Sequence, residues 1–248
     1  MKKHNWDSAF EERPEEFHNS VNSALSKISN REDNNMKASW SKKAIVTAVA
    51  VAAIGVTALA ASKVASITGH SSHLEDIYSV DEAEETAEKN GIDTECVDEF
   101  SNGYKFEYAN IGEQNLNDEN GGVISSYKTL DVDYVNKDAR IYLNIEPKSE
   151  YLEEEPGQLV KAYKGTDIYS SEYTNKFVPE DYELTEQDKL DEASGAITFS
   201  YGSDEVEVKN ISFVKWSNGD INYSLMDMDS NLSIDDLTTM AQEIIDAQ

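Results

Sequence analysis

The chain has 248 residues and a formal net charge of −28, and that charge is segregated. Residues 1–43 carry eight Lys/Arg against seven Asp/Glu, residues 44–62 carry no charge, and residues 63–248 carry thirteen Lys/Arg against forty-two Asp/Glu, or −29. So acidic a segment excludes nucleic acid as a partner, because that affinity needs Lys and Arg to neutralise phosphates, and it disfavours anionic lipid surfaces. It would attract cations, basic peptides and cationic wall polymers, although solubility explains the acidity as simply.

In chain order, residues 1–43 read as a helical segment followed by a polar tether. Pro14 suits the first position of a helix, and Glu15 and Glu16 follow in the first turn, where the helix dipole favours anions. Phe17, Val21, Ala24, Leu25 and Ile28 recur at helical spacing on one face, and Trp6 and Phe10 extend the apolar patch upstream. A segment this short cannot bury such a face within itself. Its polar face is acidic rather than basic, so a protein partner fits it better than a lipid surface. Trp6, Phe10, Phe17, Val21, Leu25 and Ile28 are the candidate partner-binding residues.

Residues 44–62, AIVTAVAVAAIGVTALAAS, contain no charged side chain. As a helix they would run about 28 Å, close to the thickness of a bilayer core. Lys42 and Lys43 abut the start and Trp40 stands at interface distance, which places the N-terminus in the cytoplasm and the acidic part outside. Eight of the nineteen residues are Ala, so insertion is weakly driven, and Ala58-Leu59-Ala60 fits the small-x-small pattern ahead of a signal-peptidase cut. An uncleaved anchor is the expectation, because forty-three residues ahead of the apolar run is long for a signal peptide. Ala44, Ala48 and Ala52 form a small-residue stripe along which two such helices could pair into a homodimer.

Residues 63–78 read as a spacer and residues 79–248 as an extracytoplasmic domain. Asp81–Lys89 has the pattern of a short acidic helix stopped by Asn90-Gly91. Strand patterns follow at Tyr104–Ile111, Ser125–Val135, Ala139–Glu146, Leu159–Lys164, Asp167–Tyr173, Ala196–Tyr201, Val206–Trp216 and Asp220–Met226. Asn136-Lys137-Asp138 and Ser217-Asn218-Gly219 are compact enough for hairpin turns. Ser233 with Asp236 forms a capping box for a last helix whose stripe of Leu237, Met240, Ala241, Ile244 and Ile245 must lie on a sheet. The predicted fold class is α+β, a curved antiparallel sheet with a helix at each end, preceded by one transmembrane helix and a short helical N-terminal segment.

The run from Lys176 to Lys189, the Ser200–Glu207 segment, the Trp216…Tyr223 hairpin and the Met240–Ile245 tail resemble a family of Firmicute membrane-anchored proteins that carry a domain of unknown function outside the membrane. The Trp6…Phe10…Pro14-Glu15…Phe17-His18…Val21…Leu25 pattern is similar to the inner segment of such proteins, some of which resemble anti-sigma-factor-type regulators. The resemblance implies a sigma factor as the cytoplasmic partner. It implies no catalytic residue, and the chain lacks the His- and Cys-based zinc motif of zinc-dependent anti-sigma domains.

Chemistry is sparse. His70-x-x-His73 has no Cys nearby and reads as solvated rather than as a metal site. Asp227-x-Asp229-x-Asn231-x-Ser233 imitates the start of a calcium loop, then fails where Leu232 replaces the turn glycine and Thr238 the bidentate Glu. Glu153-Glu154-Glu155 reads as a solvated charge run, and paired acids among forty-two are expected by chance. No phosphate-cradling glycine loop, dinucleotide fingerprint or G-x-S-x-G is present, and no histidine follows residue 73. Cys96 stands alone, so no intramolecular disulfide forms, and a half-buried thiol is expected. The expectation is a membrane-anchored sensor or regulator that is not an enzyme and needs no cofactor, with an envelope binding or structural protein as its rival.

Overall fold

A computed structural model describes Val64 and residues 66–71, 76–152, 157–228 and 232–248. The apolar face from Trp6 to Ile28, the span at 44–62, His73, Glu153-Glu154-Glu155, Asp229 and Asn231 therefore lie outside the described residues. Among the described residues, no helix is long and apolar enough to cross a membrane.

Alternating apolar and polar residues create the sheet. The strands are β1 (Ser66–His70), β2 (Lys105–Asn117), β3 (Val123–Asn136), β4 (Ala139–Pro147), β5 (Gln158–Tyr163), β6 (Thr166–Val178), β7 (Ile197–Tyr201), β8 (Glu207–Asn218) and β9 (Ile221–Asp227). Their order is β1-β2-β3-β4-β9-β8-β6-β5, with β7 on β6. The sheet curls into a half-barrel. All pairings are antiparallel except β6–β7, which is parallel. All eight strand patterns correspond to strands here, with ends shifted by a few residues. The hairpins at residues 137–138 and 219–220 close as their turn residues require, with Lys137 and Gly219 in the left-handed region at φ 58° and 57°.

Among the described residues three helices accompany the sheet: α1 (Val80–Lys89), α2 (Glu186–Ser194) and α3 (Ile234–Ala247). Each has a side chain at its N-cap accepting from the first turn: Ser79 for α1, and full capping boxes, Thr185 with Asp188 and Ser233 with Asp236, for α2 and α3. Two elements differ from the sequence reading. Residues 66–70, within the stretch read as a spacer, pair with β2, and α2 adds a helix in the middle of the domain beyond the two expected at its ends. The sequence reading did not include α2, since no apolar stripe follows its T-x-x-D box and Leu190 is 64% exposed.

α1 and α3 lie on the same face of the sheet. Val80, Ala83 and Ala87 of α1 and Leu237, Met240, Ala241 and Ile244 of α3 share one core with Leu130, Val132 and Tyr134 of β3, Ile141, Leu143 and Ile145 of β4, and Val214 and Leu225 of β8 and β9. Tyr134 anchors it: its ring meets that of Phe100 at 4.6 Å between centroids, and its hydroxyl accepts from the Val97 N–H at 3.3 Å. Trp216 and Tyr223 stack across β8–β9 at 5.2 Å. Leu237 is wholly buried at the start of α3. Leu237→Ala is expected to lower stability by about 2–5 kcal/mol, read as a lower denaturant midpoint with an unchanged slope.

Candidate functional site

The period of two that sends Leu130, Val132 and Tyr134 toward the helices sends Thr129, Asp131 and Asp133 to the opposite face, helix-free among the described residues. Register extends this into a row that crosses five strands: Asn110 of β2 faces Asp131 of β3, then come Asn144 of β4, Ser224 of β9 and Lys215 of β8. Asp131 Oδ1 accepts from Asn144 Nδ2 at 2.7 Å, and Oδ2 accepts from the Thr129 hydroxyl at 3.1 Å. Gly112 makes room for this, since a Cβ there would stand 2.4 Å from Thr129 Oγ1 and 2.8 Å from Asp131 Oδ2. Asn110 is 6% exposed, and its Oδ1 has no hydrogen-bond partner, nor has the buried Ser224 Oγ.

A second row lies beside the first. Tyr108, Asp133, Tyr142, Met226 and Phe213 are directly opposed across β2, β3, β4, β9 and β8. Arg140 pairs with both Asp133 and Glu107, and its guanidinium lies 5.8 Å from the centre of the Tyr108 ring. Burial raises the Asp133 carboxyl above the usual carboxylate range, against the hydrogen bonds from Arg140 and Tyr108. Burial also raises Asp131, where the partners are neutral amide and hydroxyl groups. Tyr173 stacks on Phe213 at 5.9 Å, so half-buried tyrosines (Tyr108, Tyr142 and Tyr173) frame the polar rows. Such amphipathic rings on a fixed sheet suit contact with a polar ligand or partner surface.

Two other clusters are structural or diffuse. Lys176 of β6 reaches Asp188 of α2 at 2.7 Å and the Tyr182 hydroxyl at 3.0 Å, and its ammonium lies over the rings of Tyr182 and Phe199. This clamp holds α2 against the sheet. The hydrogen bond from Lys176, and then those from Thr185, hold the Asp188 carboxyl well below its usual range. Along α1, Asp81, Glu84, Glu85 and Glu88 face Asp93 and Glu95 across an open acidic cleft. There Glu84 accepts from the Cys96 N–H at 2.7 Å.

Cys96 is 8% exposed rather than half-buried, and burial pushes its thiol up to about 12. The Asp227 carboxylate, first in the calcium-like run, accepts from the Leu232 N–H at 2.9 Å, and Ser233 and Asp236 are engaged in capping. Among the described residues no three His, Cys, Asp or Glu side chains converge as a metal site would require. Neither the row at Asp131 nor the clamp at Lys176 was read as a site from the sequence. The linear signal of the row is an acid between apolar residues of a strand, which alternation makes look like solvent exposure; the clamp joins a strand lysine to a helix-capping acid twelve residues on. Compared with known protein families, curated proteins and solved structures, the chain matches none.

The clamp carries a pH consequence. Because the folded value of Asp188 lies below its unfolded value of about 3.9, its stabilisation is present above that pH and is lost as pH falls through the depressed folded value. Hydrogen exchange should show α2 amides losing protection in strong acid before those of α3. Asp188→Asn should leave α2 weakly protected at neutral pH as well.

Proposed function

We propose that the chain is a membrane-tethered sensor or regulator of anti-sigma type, with an extracytoplasmic domain that binds rather than catalyses. Residues 44–62 form its single span, and the N-terminus lies in the cytoplasm. The face made by Trp6, Phe10, Phe17, Val21, Leu25 and Ile28 engages a cytoplasmic protein, with a sigma factor as the candidate class. The observation that carries this reading is the charge pattern: a near-neutral segment with Lys42 and Lys43 at its end, an uncharged nineteen-residue run, then −29 over the remainder. The tyrosine-framed polar face of the sheet supports binding as the work of the outer domain. A second reading rests on Ala58-Leu59-Ala60, which favours cleavage and release of an envelope binding protein.

Topology separates these readings. Cys96 is buried and its thiol resists ionisation, so it offers a quiet background, whereas Ser71 is exposed. In full-length Ser71→Cys, a membrane-impermeant maleimide should label intact cells, and the labelled chain should sediment with membranes at full length. Labelling only after permeabilisation would place the domain inside and end the sensor reading. A labelled soluble product lacking residues 1–60 would favour the released form. For the inner segment, affinity purification of the full chain should recover a cytoplasmic protein that Phe17→Asp or Leu25→Asp loses at least tenfold. Unchanged recovery, or function preserved without residues 1–35, would leave the segment without a signalling role.

A further inference from the structure

Asn110 and Asp131 are directly opposed on the helix-free face, and the Asn110 Oδ1 finds no donor there. Asn110 Oδ1 is buried without a donor, and a buried acceptor left unpaired destabilises the fold. Asp131 already receives Asn144 and Thr129, both neutral, and no Lys or Arg among the described residues forms an ion pair with it. Its near neighbour Asp133 contrasts with it, being ion-paired to Arg140.

We propose that Asp131 is a proton-operated latch: protonated, it donates to Asn110 Oδ1 and ties β2 to β3 across the helix-free face, and ionised, it leaves two acceptors opposed. The proton satisfies both defects at once. It supplies the hydrogen that Asn110 lacks, and it removes a charge that no cation balances.

The surrounding charges leave the assignment to Asp131. On β2, Glu107 and Tyr108 are engaged with Arg140 and Asp133. On β3 the facing group is Asp133, which adds repulsion against a second negative charge. β4 presents Arg140, already shared between Asp133 and Glu107, and Glu146, a like charge two residues from Asn144 on the same face. The residues of β9 on this face, Asn222, Ser224 and Met226, carry no charge. On β8, Lys215 is three strands from Asp131, about 14 Å at ordinary strand spacing, and its ammonium lies near the Phe213 ring. Burial independently favours the neutral acid at Asp131.

Because α1 packs on β2 and β3 from the other face, the latch sits beneath one of the two helices that complete the core. The sign follows from proton binding. If the folded state holds this proton up to a pH at which the unfolded chain has lost it, stability falls as pH rises from about 3.9 through the folded value. The domain therefore tightens on acidification. This property belongs to the fold and stands whether or not residues 44–62 anchor the chain.

The test is performed on the full-length protein. The carboxyl carbon of Asp131 is followed by NMR against pH, and urea unfolding is followed by circular dichroism of the sheet for wild type and Asp131→Asn between pH 4 and 8. Asp131 should titrate above the ordinary aspartate range. The folded-to-unfolded ratio of wild type relative to Asp131→Asn should fall up to tenfold per pH unit below the folded pKa and then level off. Asp131→Asn, which carries a permanent N–H for Asn110, should match or exceed wild type at pH 7. Asp131→Ala, which removes both charge and donor, should be less stable than Asp131→Asn. Titration of Asp131 at or below the ordinary range would mean that Asn110 turns its amide nitrogen to an ionised carboxylate, and the latch would be excluded. Parallel pH profiles for wild type and Asp131→Asn would exclude it equally, with a buried water supplying the missing hydrogen.

Discussion

The constraint on which the domain depends is the two-residue alternation of β3 at the centre of its half of the sheet. Leu130, Val132 and Tyr134 point to one face and become the floor on which α1 and the Phe100 loop settle. Thr129, Asp131 and Asp133, interleaved with them, are carried to the other face by the same pleat. A slip of one residue would place two carboxylates in the apolar core and three large apolar side chains outside it. Burial of the apolar set, each side chain contributing about 1.5–3 kcal/mol, therefore also holds the polar set in register. The acids are retained because the tertiary fold gives Asp133 an arginine and Asp131 an amide and a hydroxyl.

The two faces divide the work. The helical face unites α1 and α3, far apart in sequence, over one continuous core, and it carries the cohesion of the domain. Among the described residues, the opposite face carries a smaller apolar cluster built on Ile211, Phe213 and Met226, beside hydrogen-bonded rows framed by tyrosines. Apolar cohesion and polar display are thereby separated by the thickness of one sheet. A substitution on one face need not disturb the other. A fold that is to respond to its surroundings needs an element with two states. A protonatable pair under the α1 side of the sheet is one such element.

α2 shows how much a local polar motif can do without apolar help. Thr185 and Asp188 cap its start, Gly195 ends it in the left-handed region, and Lys176 draws Asp188 onto the sheet. The helix buries almost nothing, so the ion pair and its hydrogen bonds hold it in place where packing would normally do so. It flanks β7, the short parallel strand that interrupts an otherwise antiparallel pattern. That parallel pair follows from α2 itself, since the chain leaves the end of β6, crosses through the helix and returns in the same direction.

By itself the sequence determined the separation of charge, the uncharged run at 44–62, the strands and their hairpins, and the capped last helix with its buried stripe. The charge separation and the uncharged run are matters of composition, and the strands, hairpins and capped helix rest on spacing within a dozen or so residues and on the chemistry of caps and turns. Only the tertiary structure decided that β1 joins the sheet, that α2 exists, that β7 runs parallel, and that Asn110, Asp131, Asn144, Ser224 and Lys215 form one row. Those residues are separated by up to 114 positions along the chain and meet through the register of four strand pairs. An Asp between two apolar residues reads the same whether it faces water or a buried asparagine, because alternation states which face a side chain takes and not what that face meets.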